Sequence, residues 1–571
     1  MRRDGEPRRA DRPAPIVRLL LAVGTAFALR PAAALEPFPS VRPATRAQAV
    51  ASLTAGVRLP VPCLSPIVQS LLEDPAQGNL ASARALGLLQ TASRVPGERR
   101  VVEQDGTTIR FTLQRGTFDR LDGNDENGDG RPDLVEAVLD GLAEARGILV
   151  GQLGLPVPDP VEVLLVRLGS DIDGTMIPAG GVDGRPLLVL DVTNRGAGDA
   201  RKIAAHQYAH AVSVFVGAGV GPDWAEALAT WTVLRMGREL DDATVGLLSE
   251  RLRRLAEGLL SDDLALAAGN AAWLSFVEEA YGPTALRLTV EELARGGAPA
   301  AALERALLRS AGETLASAFR EFQLWSLLVA ERQIGGHFSF AARLASPRFS
   351  LTTEGLPALS VHADPAVAPL GASAVLLRPE ESEGGVGLRF EGEGPGRWEV
   401  DLLLVREDGV LQRLPMRISS EGRGEIKLPL RGLAEAVLMI RNPDPDPRAA
   451  RRYSWSARAL RGYPVEFASL EAVAAARAGA GVLVTWETRS EKGVLGFNVL
   501  RREEGLPGAI RVNPVWVPAM GEEFAPGAYQ FHDLGAAPGV SYLYQIEAIT
   551  EAGLASESEP VVVQPKLAST P

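Results

Sequence analysis

The chain has 571 residues, 71 acidic against 59 basic side chains, a formal net charge of −12, five histidines and one cysteine. That length exceeds what a single core supports, so several domains are expected, and the acidic balance argues against nucleic acid or an anionic membrane as the main partner. A lone cysteine excludes an internal disulfide, leaving packing or metal to supply any cross-link.

The amino end reads as an export signal. Arginines within residues 1–18 precede an apolar run at 19–29, and Ala32 and Ala34 fit a small-residue cleavage site, so residues 1–34 are expected to be removed. A run of about eleven residues is too short to span a bilayer. No later segment reaches spanning length, so the mature chain is expected to have no transmembrane segment and to reside in the periplasm, on the cell surface or outside the cell.

Residues 35–100 form an N-terminal segment rich in Ala, Leu and Arg at helical spacing, as in SPIVQSLLEDP from Ser65. Cys63 lies among Pro60, Val61, Pro62 and Leu64 with no histidine near it in sequence, which predicts a buried, inert thiol. From Thr107, TTIRFTLQ alternates as a strand, and residues 133–153 place apolar side chains at helical intervals. VEVLLVRL from Val161 and RPLLVLDV from Arg185 read as strands, followed by helical patterning to about residue 333. This order predicts an α+β domain over 101–350.

After residue 350 short alternating segments recur between Gly- and Pro-rich turns, predicting one β-sandwich over 351–462 and a second over 463–565, with a tail at 566–571. In the second, Trp486 followed by Tyr542 and Tyr544 is similar to a fibronectin type III sandwich.

Two stretches carry chemistry. DENGDGRPDLVE from Asp125 matches a twelve-residue calcium loop. Asp125, Asn127 and Asp129 stand at positions 1, 3 and 5, Arg131 offers a carbonyl, and Asp133 and Glu136 take positions 9 and 12. An acidic solvated turn, with Asp133 capping the next helix, would account for the same residues.

The second stretch is HQYAH, which sets His206 and His210 four residues apart and so on one helical face. A following helical pattern, PDWAEALATWTV from Pro222, holds Glu226 among apolar neighbours, where a carboxylate needs a partner. Two histidines and a glutamate with one position left to water make a catalytic zinc arrangement. Two buried histidines bonded to carbonyls remain the plainer reading. No G-x-S-x-G elbow, P-loop or dinucleotide fingerprint competes.

HQYAH followed by WAEALATW resembles the HExxH…W-x-E-G-x-A-x-W pattern of gluzincin metallopeptidases. The wider order is similar to a family of secreted bacterial metalloproteases with a signal, a D-x-N-x-D-G-x-P-D loop, a zinc helix and β-sandwich tails. The likeness covers about residues 100–335, and the tails only in general character. It implies a zincin-like domain (a small mixed sheet plus helices) followed by two β-sandwiches, with zinc on His206, His210 and Glu226 and calcium on the Asp-rich loop.

Two departures matter. Ala227 replaces a glycine, a mild steric change. Gln207 stands where the general-base glutamate belongs, and a carboxamide cannot take a proton from metal-bound water at neutral pH. Losing that base costs about 10²–10⁴-fold in rate. The expectation is an exported zinc- and calcium-binding metallopeptidase-like protein with lost or strongly reduced activity. It would bind polypeptides, with the strand LVLDV from Leu188 holding them along a cleft. An active peptidase with another base, and a surface or adhesion protein acting through its sandwiches, are the alternatives.

Overall fold

The described residues are 63–73 and 99–563, less short interior stretches of which the longest are 361–365, 380–384, 461–465, 475–480, 521–526 and 551–554. In this computed structural model the expected signal at 1–34, most of the 35–98 segment and the tail at 566–571 lie outside them.

Alternating apolar residues build the first sheet. Helix α1 (Ser65–Glu73) precedes β1 (Arg100–Gln104) and β2 (Thr107–Phe111), and α2 (Asp133–Arg146) leads to β3 (Val161–Leu165), β4 (Gly174–Ile177) and β5 (Leu187–Leu190). The strand order is β1-β2-β3-β5-β4. The central strands β2, β3 and β5 are parallel, with β1 and β4 antiparallel at the edges. Val163, Leu165, Leu188 and Leu190 face the main core, while Leu164 and Val189 join Val166 on the opposite face. That is the period of two a pleated strand imposes. The expectation that LVLDV lines a cleft is corrected here. β5 is interior, with both neighbours occupied by strands, and the edge strand beside it is the four-residue β4.

Alanine then sets how close the helices come. In α3 (Ala197–Val216), Ala200, Ala204, Ala205, Ala209 and Ala211 are buried against the sheet and α2. A Cβ on Gly141 of α2 would lie 2.2 Å from the Arg201 carbonyl oxygen, so only glycine permits this crossing. The chain reverses at Gly221, whose φ of 71° suits glycine, and Pro222 opens α4 (Pro222–Met236) with its fixed φ. Six further helices among the described residues run from α5 (Asp242–Arg253) to α10 (Leu315–Leu327), around a core that includes Trp273, Phe276, Phe319 and Phe322.

The carboxyl-terminal part is all strand among the described residues, and the chain as a whole is mixed α+β. Strands at 351–354, 371–378, 399–406, 411–416 and 433–442 form one sheet, and those at 358–360, 385–392, 423–429 and 453–460 form another. Leu402, Leu404, Leu388, Phe390 and Trp455 fill the space between them. The outer face of the first sheet, with Leu376, Leu403, Val437 and Met439, packs on Leu327 of α10. Beside that seam the buried Arg441 donates to Gln323 Oε1 at 2.9 Å and to Asp401 Oδ2 at 2.7 Å, tying helix to sheet. Beyond residue 465 two more sheets share a core of Val484, Trp486, Phe497, Val499, Tyr544 and Ile546. No helix among the described residues is long and apolar enough to cross a membrane.

Candidate metal centre

Helix periodicity places both imidazoles of α3 on its α4-facing side, and α4 returns Glu226 to meet them. His206 Nε2 and His210 Nε2 are 3.3 Å apart. His210 Nε2 is 3.0 Å from Glu226 Oε2, and His206 Nε2 is 3.4 Å from Glu226 Oε1. The expected carboxylate–imidazole convergence is therefore present, with His210 and Glu226 buried.

A fourth group joins them that sequence reasoning set aside. Cys63 Sγ lies 3.4 Å from His210 Nε2, and the ligand atoms of Cys63, His206, His210 and Glu226 all fall within 4.8 Å of one another. The prediction of an inert thiol rested on sequence neighbours, and it is corrected by a contact spanning 147 positions. Cys63 is buried as expected, but with the two imidazoles and the carboxylate of the cluster beside it. It reaches them through a parallel bridge to Gly174 at the open side of β4, strengthened by Leu64 N–H donating to the Gly174 carbonyl at 3.1 Å. Glycine is needed there, because a Cβ at 174 would stand 2.7 Å from the Val189 carbonyl oxygen and 3.3 Å from Gln207 Cγ.

Gln207 does not face open solvent. Its Nε2 approaches Cys63 Sγ at 3.3 Å and its Oε1 accepts from Ser65 Oγ at 2.7 Å. Ser65 Oγ in turn accepts from Met176 N–H at 2.9 Å. Tyr208 projects toward Arg146 and Asp159 instead, and burial pushes its phenol up to about 12. His337 packs its ring 5.3 Å from Trp325 and is not among the clustered ligands.

The electrostatics suit a cation. Burial opposes charge on all four groups. Even so, His206 and then His210 hold the Glu226 carboxyl far below the ordinary range. Against the same burial, Glu226 chiefly raises His206, and Cys63 followed by Glu226 raises His210. Burial and Glu226 push the Cys63 thiol up, but His210 and His206 bring it down to about 7. An imidazole Nε2 can make one hydrogen bond in either tautomer, yet that of His210 has three close partners. Four donor atoms on one tetrahedral zinc, each about 2.0–2.3 Å from it, stand roughly 3.3–3.6 Å from one another. Four separations, counting either Glu226 oxygen, are 3.0, 3.3, 3.4 and 3.4 Å and so near that figure, and the remaining pairs lie within 4.8 Å.

The Asp-rich loop wraps around its first carboxylate. Asp125 Oδ1 accepts from Gly128 N–H at 2.8 Å and from Asp129 N–H at 3.2 Å, and Oδ2 accepts from Gly130 N–H at 2.8 Å. Asn127 Oδ1 accepts from Asp129 N–H, and Asp129 Oδ1 accepts from Arg131 N–H. Asn127 Nδ2 donates to Glu136 across the loop at 2.9 Å, and Asp133 Oδ1 accepts from Glu126 N–H at 3.0 Å while opening α2. All six predicted residues thus lie on one turn. Their carboxylates do not close to the spacing of the His–Cys–Glu cluster, which is the one such group of three or more among the described residues.

No family model matches the chain, and no curated protein matches it. Solved structures do align with parts of it. "Myokine structure" is 17% identical over 18% of this chain and all of that one, with a TM-score of 0.14. A Fn3-like protein from Clostridium thermocellum is 23% identical over 18% of this chain and 96% of that one, also with a TM-score of 0.14. The chicken CNTN1 FN1-FN3 domains are 12% identical over 30% of this chain and 57% of that one, with a TM-score of 0.16. None of these likenesses carries weight for the helical domain or its cluster.

Proposed function

We propose that the helical domain is a zincin-like metallopeptidase scaffold that binds one Zn²⁺ through His206, His210 and Glu226 and has lost or nearly lost peptide hydrolysis. The supporting observation is the convergence of two imidazole nitrogens and one carboxylate at 3.0–3.4 Å, a donor set of the N and O type that zinc takes. Bound there, zinc would supply Lewis acidity toward a carbonyl or water oxygen. The chain's own residues do not complete hydrolysis: Gln207, at the general-base position, has no proton-accepting group at neutral pH and spends its amide on Cys63 and Ser65. Calcium on the loop from Asp125 to Glu136 would stiffen the start of α2, and the last sandwich is read as fibronectin type III-like. The protein is further proposed to be exported and to hold polypeptides rather than cut them.

Metal analysis of the purified full chain tests the central reading. One zinc per chain is expected in the native protein and under 0.1 in the His206→Ala/His210→Ala variant. Absence of zinc, cobalt and other divalent transition metals after reconstitution would overturn it, as would chelator-sensitive cleavage of casein at rates typical of peptidases.

A further inference from the structure

We infer that Cys63 is the fourth ligand of this centre, so that the chain closes its own metal site with its amino-terminal segment. This rests on the metal reading proposed above and goes beyond it in replacing the open water position with an internal thiolate.

Three observations converge. The first is placement: Cys63 Sγ sits 3.4 Å from His210 Nε2, within 4.8 Å of every other ligand atom in the cluster, and is buried with them. A tetrahedral zinc with three protein ligands keeps one position for solvent, and structural sites fill it with a further side chain, commonly a thiolate. The second is the partner of the sulfur. Gln207 Nε2 is 3.3 Å from Sγ, so the carboxamide donates to a thiolate where a glutamate would set a second negative charge against it. The substitution that removes the base thus also accommodates the cysteine, and the two departures from an open catalytic centre are one arrangement. Ser65 fixes the amide's orientation by donating to Gln207 Oε1 at 2.7 Å.

The third is the backbone. The outward-facing groups of β4 are the natural rail for an extended peptide, since an edge strand offers unpaired N–H and C=O groups. Here the Gly174 carbonyl accepts from Leu64 N–H at 3.1 Å, and Met176 N–H donates to Ser65 Oγ at 2.9 Å. Alternate edge groups on that strand are taken by consecutive residues of the chain's own segment. Ile67, buried in α1, anchors that segment one turn beyond. A substrate would have to displace both the sulfur from the metal and the segment from the edge.

Cobalt substitution reads this directly, because thiolate bound to Co²⁺ gives a near-ultraviolet charge-transfer absorption that nitrogen and oxygen ligands do not. The full-length native protein, loaded with one Co²⁺, is expected to show this absorption with the strong visible bands of a tetrahedral site. Cys63→Ser should still bind Co²⁺ but lose the near-ultraviolet band. In the native protein, bound metal should slow alkylation of Cys63 by iodoacetamide at least tenfold, with chelator restoring the rate. One Co²⁺ per chain without the charge-transfer band, or alkylation indifferent to metal, would overturn the closed site while leaving the histidine–glutamate centre standing. A native chain that takes up no Co²⁺ would overturn both.

Discussion

Changing Gln207 to glutamate would restore the general base in a simple metallopeptidase, yet here it should damage the site. The amide donor 3.3 Å from Cys63 Sγ would become a carboxylate, and the acceptance from Ser65 would remain. Losing a hydrogen bond to a charged group costs about 1.5–3 kcal/mol. Two like charges at that spacing repel by about 5 kcal/mol at an effective dielectric of 20, an upper figure because bound zinc offsets part of it and the glutamate can rotate or take up a proton. A net loss of about 2–4 kcal/mol is expected for the zinc-loaded domain. It should be measured by urea unfolding followed through tryptophan fluorescence, with no gain in casein cleavage. Cys63→Ala removes the source of the repulsion. The double variant Cys63→Ala/Gln207→Glu should therefore be more stable than the sum of the singles by at least about 1 kcal/mol. It is also the variant in which chelator-sensitive cleavage should first appear. Additive losses, or a Gln207→Glu protein as stable as the native one and proteolytically active alone, would refute the reasoning.

Further outcomes concern other parts of the molecule. Glu292 accepts from Arg305 at 2.9 Å and pairs with Arg295 and Arg309, and these, Arg305 first, hold its carboxyl down to about 2 against burial. A depressed carboxyl stabilises fully above its unfolded value of 4.5 and loses that contribution as pH falls toward 2, so Glu292→Gln should flatten the acid limb of the native stability curve in that window. Arg441→Met leaves Asp401 with Arg413 alone at 2.8 Å and should destabilise the seam between α10 and the first sandwich by about 2–3 kcal/mol in urea; a loss below about 1 kcal/mol would show that the buried pair contributes little. Calcium at 100 times its Kd should stabilise the native protein by about 2.7 kcal/mol and leave Asp125→Asn unmoved, read as Tm by calorimetry. Equal response of the two proteins would remove the loop as an ion site.

Much of the arrangement was legible because it is local. The i, i+4 pair His206–His210 follows from helix geometry, and Glu226 could be placed because PDWAEALATWTV from Pro222 reads as a second helix with that carboxylate among apolar neighbours. The last sandwich carries an alternation that reads without coordinates, as at 542–550, whereas 399–406 reads as a continuous apolar run because both its faces are packed. What escaped is tertiary. β4 has four residues, Gly-Thr-Met-Ile, too few for a periodic signal, so the sheet edge was assigned to the longer apolar run of β5. Cys63 reaches His210 only through that edge. The sequence signal that bore on it was the glutamine itself: a base replaced by a donor is what a neighbouring thiolate would require.

The most direct test is anomalous diffraction at the zinc absorption edge from crystals of the full-length protein grown with zinc and soaked free of excess metal. One peak is expected about 2.0–2.3 Å from His206 Nε2, His210 Nε2, a Glu226 carboxylate oxygen and Cys63 Sγ. Density without an anomalous peak there, and with the two imidazoles rotated away from Glu226, would contradict the account.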